Sequence, residues 1–152
     1  ANILDDVYWG LSIKDLKKSY RHSNLLRLDA LKIKRALSNI VSNAIEAPGE
    51  KSYFIETDEI QDNEGMWTKI VLGNIGGKAI SEEKITQIFK LFYTSDKQNG
   101  RGLGLTIAKK IINDHAGKIW CISNGFTSYG EQVERRFQRN YVEFHIKLRR
   151  GF

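Results

Sequence analysis

The sequence predicts a two-layer α/β sandwich, with helices and an antiparallel sheet segregated rather than alternating strictly as βαβ units. Three observations carry this: a long amphipathic helix at 29–49, a strand pair directly after it, and two late strands, "KIWCIS" and "YVEFHIKL", that follow further helices. At 152 residues, 41% of them hydrophobic, the chain can bury the core of one domain and is too short for two. Residues 1–152 are therefore read as one domain.

In chain order, "SIKDLKKSY" (12–20) opens on a Ser able to cap and repeats apolar residues at helical spacing, which predicts a helix; "NLLRLD" (24–29) is short and mostly apolar, like a strand. In "DALKIKRALSNIVSNAIEAPG" (29–49), Ile33, Leu37, Val41 and Ala44 form one stripe, Asp29 can cap the start, and Pro48 with Gly49 stops the helix. "SYFIETDEI" (52–60) and "MWTKIVLGN" (66–74) read as strands of a hairpin closed through "QDNEG". "SEEKITQIFKLF" (81–92) has a Ser cap and an acidic first turn, and "LGLTIAKKIINDHAG" (103–117) is a helix ending at Gly117. "KIWCIS" (118–123) and "YVEFHIKL" (141–148) complete the sheet.

Bulk composition excludes several classes. No apolar run approaches the roughly 20 residues that span a bilayer, and the opening "ANILDDVYWG" lacks the regions of a signal peptide. Cys121 is the only cysteine, so neither an internal disulfide nor a cysteine-only metal site can form, in keeping with a reducing cytoplasm. The start on Ala suggests a fragment of a larger protein. The net charge of +6 favours an acidic partner such as a nucleotide, a nucleic acid or an anionic lipid. Much of the excess sits in "ERRFQRN" and "KLRR", which read as a solvated face, so nucleic acid is a minor reading.

Chemistry first shows on the long helix. Arg35, Asn39 and Asn43 are spaced by four and share one face, nearly opposite Ile33 and Val41. Asn competes with the helical backbone for hydrogen bonds, so a mid-helix pair needs solvent or a partner. The bland reading is a polar solvent face. The functional one is an amide oxygen on a hard cation such as Mg²⁺, whose shell is completed by phosphates and water. Farther on, "NGRGLGL" (99–105) strips the backbone of side chains before a helix that starts near Leu103. Such a loop lets N–H groups approach an anion, and a polyphosphate fits, with Lys97 and Arg101 as further donors.

Together, "RALSNIVSNAIEA", "NIGG", "ITQIFKLFYTS" and "NGRGLGLTIAKKIINDHAGKI" resemble, in order and spacing, the ATP-binding catalytic domain of sensor histidine kinases over about residues 12–148. They match that family's N box, first glycine box, F box and second glycine box. The run "FYTSDKQNGRGLGLTIAKKI" looks most like quorum-sensing hybrid kinases. The resemblance implies the Bergerat fold, a mixed and mostly antiparallel sheet with helices on one face, and residues 1–11 as a linker from a preceding dimerisation domain. It implies Mg²⁺ and ATP as ligands, with Asn43 on the metal and Asn39 and Arg35 beside it toward the phosphates. By the same likeness Gly100, Gly102 and Gly104 let the lid and helix start close over the triphosphate, next to Lys97, Arg101 and Leu103. Phe89 and Phe92 would anchor the lid or serve as core residues, and Asn74, Gly76 and Gly77 would form the adenine end.

The sequence departs from the family pattern at three places. Asn74 stands where Asp is usual and "NIGGKAI" is one residue long, so an Asn-based adenine contact and a damaged pocket are both open; Glu46 stands for a common Lys, and Arg101 for a common Thr. Asn39 occupies the place of the general-base Glu of related ATPases, and an amide cannot take a proton. That favours transfer of the γ-phosphoryl group over hydrolysis, with catalysis resting on Asn39, Lys97, Mg²⁺ and backbone donors. His115 belongs to a structural helix ending, and His22 and His145 are read at strand borders, so the acceptor histidine would come from a separate dimerisation domain, with a receiver domain downstream. A degenerate nucleotide-binding scaffold is the alternative.

Overall fold

The computed structural model describes residues 16–21, 30–46, 49–90 and 104–149. Its elements are β1 (Leu16–Arg21), α1 (Ala30–Glu46), β2 (Ser52–Asp62), β3 (Gly65–Ile75), α2 (Glu82–Ile85), α3 (Gly104–Asp114), β4 (Lys118–Ser123), β5 (Phe126–Thr127) and β6 (Tyr141–Arg149). The strands lie in the order β1-β2-β3-β6-β4-β5. Among the described strands only the β1–β2 pair is parallel. The two-layer sandwich with a mostly antiparallel sheet is as the sequence predicts.

Strand alternation sorts the sheet into two faces. Ile55, Ile70, Leu72, Val142, Phe144, Ile146 and Leu148 turn toward the helices and form one core with Ile33, Leu37 and Ile40 of α1 and Leu105, Ala108 and Ile112 of α3. Each of these side chains other than that of Ala108 contributes about 1.5–3 kcal/mol on burial. The exposed Lys110–Asp114 pair of α3, at 3.2 Å, contributes about 0.2–0.5 kcal/mol by comparison, so α3 is held by its apolar face.

Three predicted elements need correction or fall elsewhere. The helix expected at 12–20 is wrong where it is described: residues 16–21 form β1, paired in parallel with β2 from Leu16↔Tyr53 to Arg21↔Asp58. Ser19 and Tyr20 are middling helix formers, and the edge of β2 supplies backbone partners that local propensity cannot register. The helix expected over 81–92 is one turn, Glu82–Ile85, with Ser81 capping it by accepting from Lys84 N. Beyond it the chain continues through bonds of three-residue span, Gln87 N to Lys84 O and Lys90 N to Gln87 O, both 2.9 Å. These tighter turns suffice to bury Ile85 and Ile88. The expected strand at 24–29, the Asp29 cap and the stop at Pro48 lie outside the described residues.

The β2–β3 hairpin is longer than the alternation suggests and turns at Gly65, whose φ of +121° is open to glycine. At its end, Asp62 accepts from Lys147 Nζ at 2.7 Å, from the Trp67 indole at 2.8 Å and from Glu64 N at 2.8 Å. The Trp67 ring is buried beneath Arg149 and Lys147, 4.2 and 4.5 Å from its centroid. The hydrogen bond from Lys147, then that from Trp67, hold the Asp62 carboxyl well below the usual carboxylate range. A depressed carboxylate stabilises fully above its unfolded value of about 3.9, and that contribution is lost as pH falls through the folded-state value. Asp62→Asn is therefore expected to flatten the acid limb of stability below about pH 4, followed by tryptophan fluorescence. An unchanged limb would remove Asp62 from the acid response.

Candidate functional site

Helix α1 presents Ile33, Ala36, Leu37, Ile40, Val41 and Ala44 to the core, which leaves Arg35 exposed and Asn39 and Asn43 half-buried. This is the face that the four-residue spacing predicts. Helix α3 packs alongside α1. Its first residue, Gly104, lies over Asn39, so that a Cβ there would stand 3.9 Å from Asn39 Cβ. The start of the helix after the glycine loop is thus brought to the asparagine face.

Asn74 reaches the same region from the sheet. It lies on the helix-facing side of β3, opposite Tyr53 on β2 and Val142 on β6, and is 1% exposed. Its Nδ2 donates to Ala44 O at 3.4 Å, one residue past Asn43, while its Oδ1 has no partner among the described residues. A buried carbonyl oxygen without a donor costs about 1–3 kcal/mol. With one Nδ2–H turned to that carbonyl, the Oδ1 of Asn74 is left as a buried acceptor without a donor. An amino group of an incoming base would satisfy it, so the residues present fit a nucleotide.

The turn after β3 continues this end of the site. Gly76 has a φ of +97°, and its N–H donates to Asn140 O at 2.7 Å, while Gly77 is buried. Phe89 is half-buried against the core and meets Phe144 edge to face at 6.3 Å. Its carbonyl also accepts from Thr106 Oγ1 at 3.2 Å, which ties the end of this segment to α3. Phe92, Lys97, Gly100, Arg101, Gly102 and Leu103 lie outside the described residues, as does His22.

The two described histidines behave differently. His115 closes α3, its Nδ1 2.8 Å from Ile111 O, as a structural helix ending should. His145 is not at a strand border: it lies in the middle of β6, stacked on Trp120 at 5.2 Å. It lines a cavity of about 260 Å³ with Glu56, Asp58, Lys69, Val71 and Arg136. That cavity is on the sheet face away from the helices, so it is separate from Asn74 and Asn43.

The late basic run "ERRFQRN" is exposed at every residue but Phe137, the solvated face expected of it, yet two of its arginines have partners. Arg136 forms ion pairs with Glu56 and Glu143 and lies 5.0 Å from the Phe137 ring centroid. Arg135 donates to the carbonyls of Phe137, Gln138 and Arg139. Sequence spacing gave no sign of these partners. Nor did it show that Ser123 and Asn124 would hold other segments.

The profile of the histidine kinase-, DNA gyrase B- and HSP90-like ATPases matches residues 28–150. The chain belongs to this family. Its sandwich is accordingly the Bergerat fold of histidine kinase catalytic domains. The ATPase-family chain is 36% identical over 99 residues to the phytochrome-like protein Cph1 of Synechocystis, a match covering 63% of this chain and 13% of that protein. It is 31% identical over 103 residues to the sensor histidine kinase WalK of Bacillus subtilis, covering 64% of this chain and 16% of WalK. Among solved structures, the catalytic domain of histidine kinase ThkA superposes with a TM-score of 0.68 at 28% identity, over 99% of this chain and 93% of that one. ThkA in complex with response regulator protein TrrA superposes with a TM-score of 0.66 at 29% identity, over 97% of this chain and 40% of that one.

Proposed function

We propose that this chain binds Mg-ATP and delivers its γ-phosphoryl group to a histidine on a separate dimerisation domain, in two-component signalling. The observation that supports the reading most is the orphaned Oδ1 of buried Asn74, one hydrogen bond away from the helix that carries Asn43 and Asn39. An ATP adenine has an amino group to give that oxygen. Among the described residues no group of three or more His, Cys, Asp or Glu converges. Asn43 is proposed to hold Mg²⁺ by its amide oxygen, with phosphates and water as the remaining ligands. When bound, Mg²⁺ neutralises charge that develops on the phosphate oxygens.

The chain's own part is to orient and to keep water unreactive. Asn39 has no basic lone pair with which to take a proton from water, which disfavours hydrolysis. Lys97 and Arg35 are the cations proposed to steady the phosphates, and Gly100, Gly102 and Gly104 the backbone that lets them be approached closely. Of the described histidines, His115 is held by Ile111 O and His145 is buried. Neither suits a phosphoacceptor, so the nucleophile is proposed to be external, with a receiver domain next in line. This need for ATP would place the domain in the cytoplasm. No helix among the described residues is long and apolar enough to cross a membrane. The likeness of "FYTSDKQNGRGLGLTIAKKI" to quorum-sensing hybrid kinases supports that subtype for the parent protein.

Calorimetry with ATP, with and without Mg²⁺, tests binding. Adding the parent's dimerisation domain then tests transfer. Phosphohistidine is expected only when both parts are present, with little phosphate released by the chain by itself. Rapid phosphate release by the isolated chain would favour hydrolysis instead.

A further inference from the structure

The turn that carries Gly76 and Gly77 is held at both ends by two consecutive residues elsewhere in the chain. At its far end, Ile80 N–H donates to Ser123 Oγ at 3.0 Å, and the same hydroxyl donates to Tyr141 O at 2.7 Å. Ser123 is fully buried, and both hydrogen-bonding roles of its hydroxyl are in use. At the near end, Gly76 N–H rests on Asn140 O at 2.7 Å. Asn124 fixes Asn140 in turn: its Nδ2 donates to Asn140 Oδ1 at 3.0 Å, and its Oδ1 accepts from Tyr141 N at 3.1 Å. Asn124 does this from a left-handed backbone, φ +48°, which Asn tolerates better than most residues with a side chain.

We propose that Ser123 and Asn124 are positioning residues, a clamp at the end of β4 that fixes both ends of the 75–80 turn and thereby sets affinity at the base end of the nucleotide site. This rests on the ATP reading above. The turn follows Asn74 by one residue, so a shift of Gly76 moves the acceptor offered to the base. The side-chain hydrogen bonds of Ser123 and Asn124 among the described residues go to Ile80, Asn140 and Tyr141, not to α1 or α3, which carry the proposed phosphate end. The clamp therefore acts on recognition of the base and leaves phosphate binding unchanged.

The test uses Asn124→Gly, which keeps the left-handed backbone and removes both side-chain bonds, and Ser123→Ala, which removes the hydroxyl. Asn124→Asp is the conservative control: its carboxylate still accepts from Tyr141 N, and the Asn140 amide can turn to donate to it. Amide hydrogen exchange over 74–80 is measured without ligand, and calorimetry gives affinities for Mg-ATP and for Mg-tripolyphosphate, which has no base. In Asn124→Gly and Ser123→Ala, exchange is expected to quicken over 74–80 and Mg-ATP to bind roughly threefold to tenfold more weakly, the worth of one hydrogen bond. Tripolyphosphate affinity should be unchanged, and Asn124→Asp should restore both readouts. Unaltered exchange, or a parallel loss of tripolyphosphate binding, overturns the clamp. If the unaltered chain binds no Mg-ATP, the nucleotide reading is overturned, and the exchange result still decides for or against the clamp.

Discussion

Asn43→Ala is expected to abolish the Mg²⁺-dependent part of the thermal stabilisation that a non-hydrolysable ATP analogue gives this chain. A ligand that binds only the folded state at a hundred times its Kd stabilises by about 2.7 kcal/mol, which for a chain of this length raises Tm by roughly 5–10 °C. Asn43 is half-buried and is not a member of the apolar core, so its removal opens no cavity there. Ala is the best helix former, and the substitution should leave α1 intact or slightly firmer. The melting temperature without ligand is thus expected to hold, while the increment gained on adding Mg²⁺ disappears. Differential scanning fluorimetry of both chains, with analogue alone and with analogue plus Mg²⁺, gives the four values needed. An undiminished Mg²⁺ increment in Asn43→Ala would move the metal ligand to another residue.

The shared face of Arg35, Asn39 and Asn43 is the part of the candidate site most legible in the sequence. Helix α1 is long and strongly periodic, and its core stripe fixes which side chains are left for the opposite face. The β2–β3 hairpin and β6 were legible for the same reason, a period of two bounded by turn residues. Strand β1 was not, because its partner is a parallel neighbour more than thirty residues away in the register Leu16↔Tyr53, and nothing local marks an edge as available. Segment 82–90 mixes one helical turn with tighter turns, and an i, i+3 apolar spacing serves either. Asn74 was found by its motif, yet the orientation of its amide depends on Ala44 O, a backbone atom that no side-chain pattern reveals. The same holds for Asn124 and Arg136, whose partners lie on other strands.

Arg136→Leu is the stability counterpart, with an expected loss of about 2–3 kcal/mol. The guanidinium bridges Glu143 on β6, at 2.7 Å, and Glu56 on β2, and it lies 5.2 and 5.0 Å from the ring centroids of Phe54 and Phe137. Burial by itself would lower the Arg136 pKa, and the two carboxylates more than reverse this, leaving it raised. The ends of the bridge are unequal: the Glu143 side chain is 4% exposed, whereas those of Arg136 and Glu56 are 38% and 37% exposed. Breaking a fully buried pair costs about 3–5 kcal/mol, because one charge is left without a partner. Solvent around Glu56 and Arg136 screens their share, which brings the expectation down to about 2–3 kcal/mol, carried mostly by Glu143. Leu keeps apolar contact with Phe54 and Phe137, so packing loss should be small. Urea denaturation measures the effect, and Glu143→Gln in the Arg136→Leu background decides its origin. If the unpaired carboxylate is the cause, the double variant recovers most of the loss, since Gln carries no charge into the same space. If it recovers nothing, Arg136 acts by packing the 131–140 segment onto the sheet, and the edge-to-face contacts of Phe137 with Phe54 and Tyr141, at 5.7 and 5.3 Å, become the interactions to remove next.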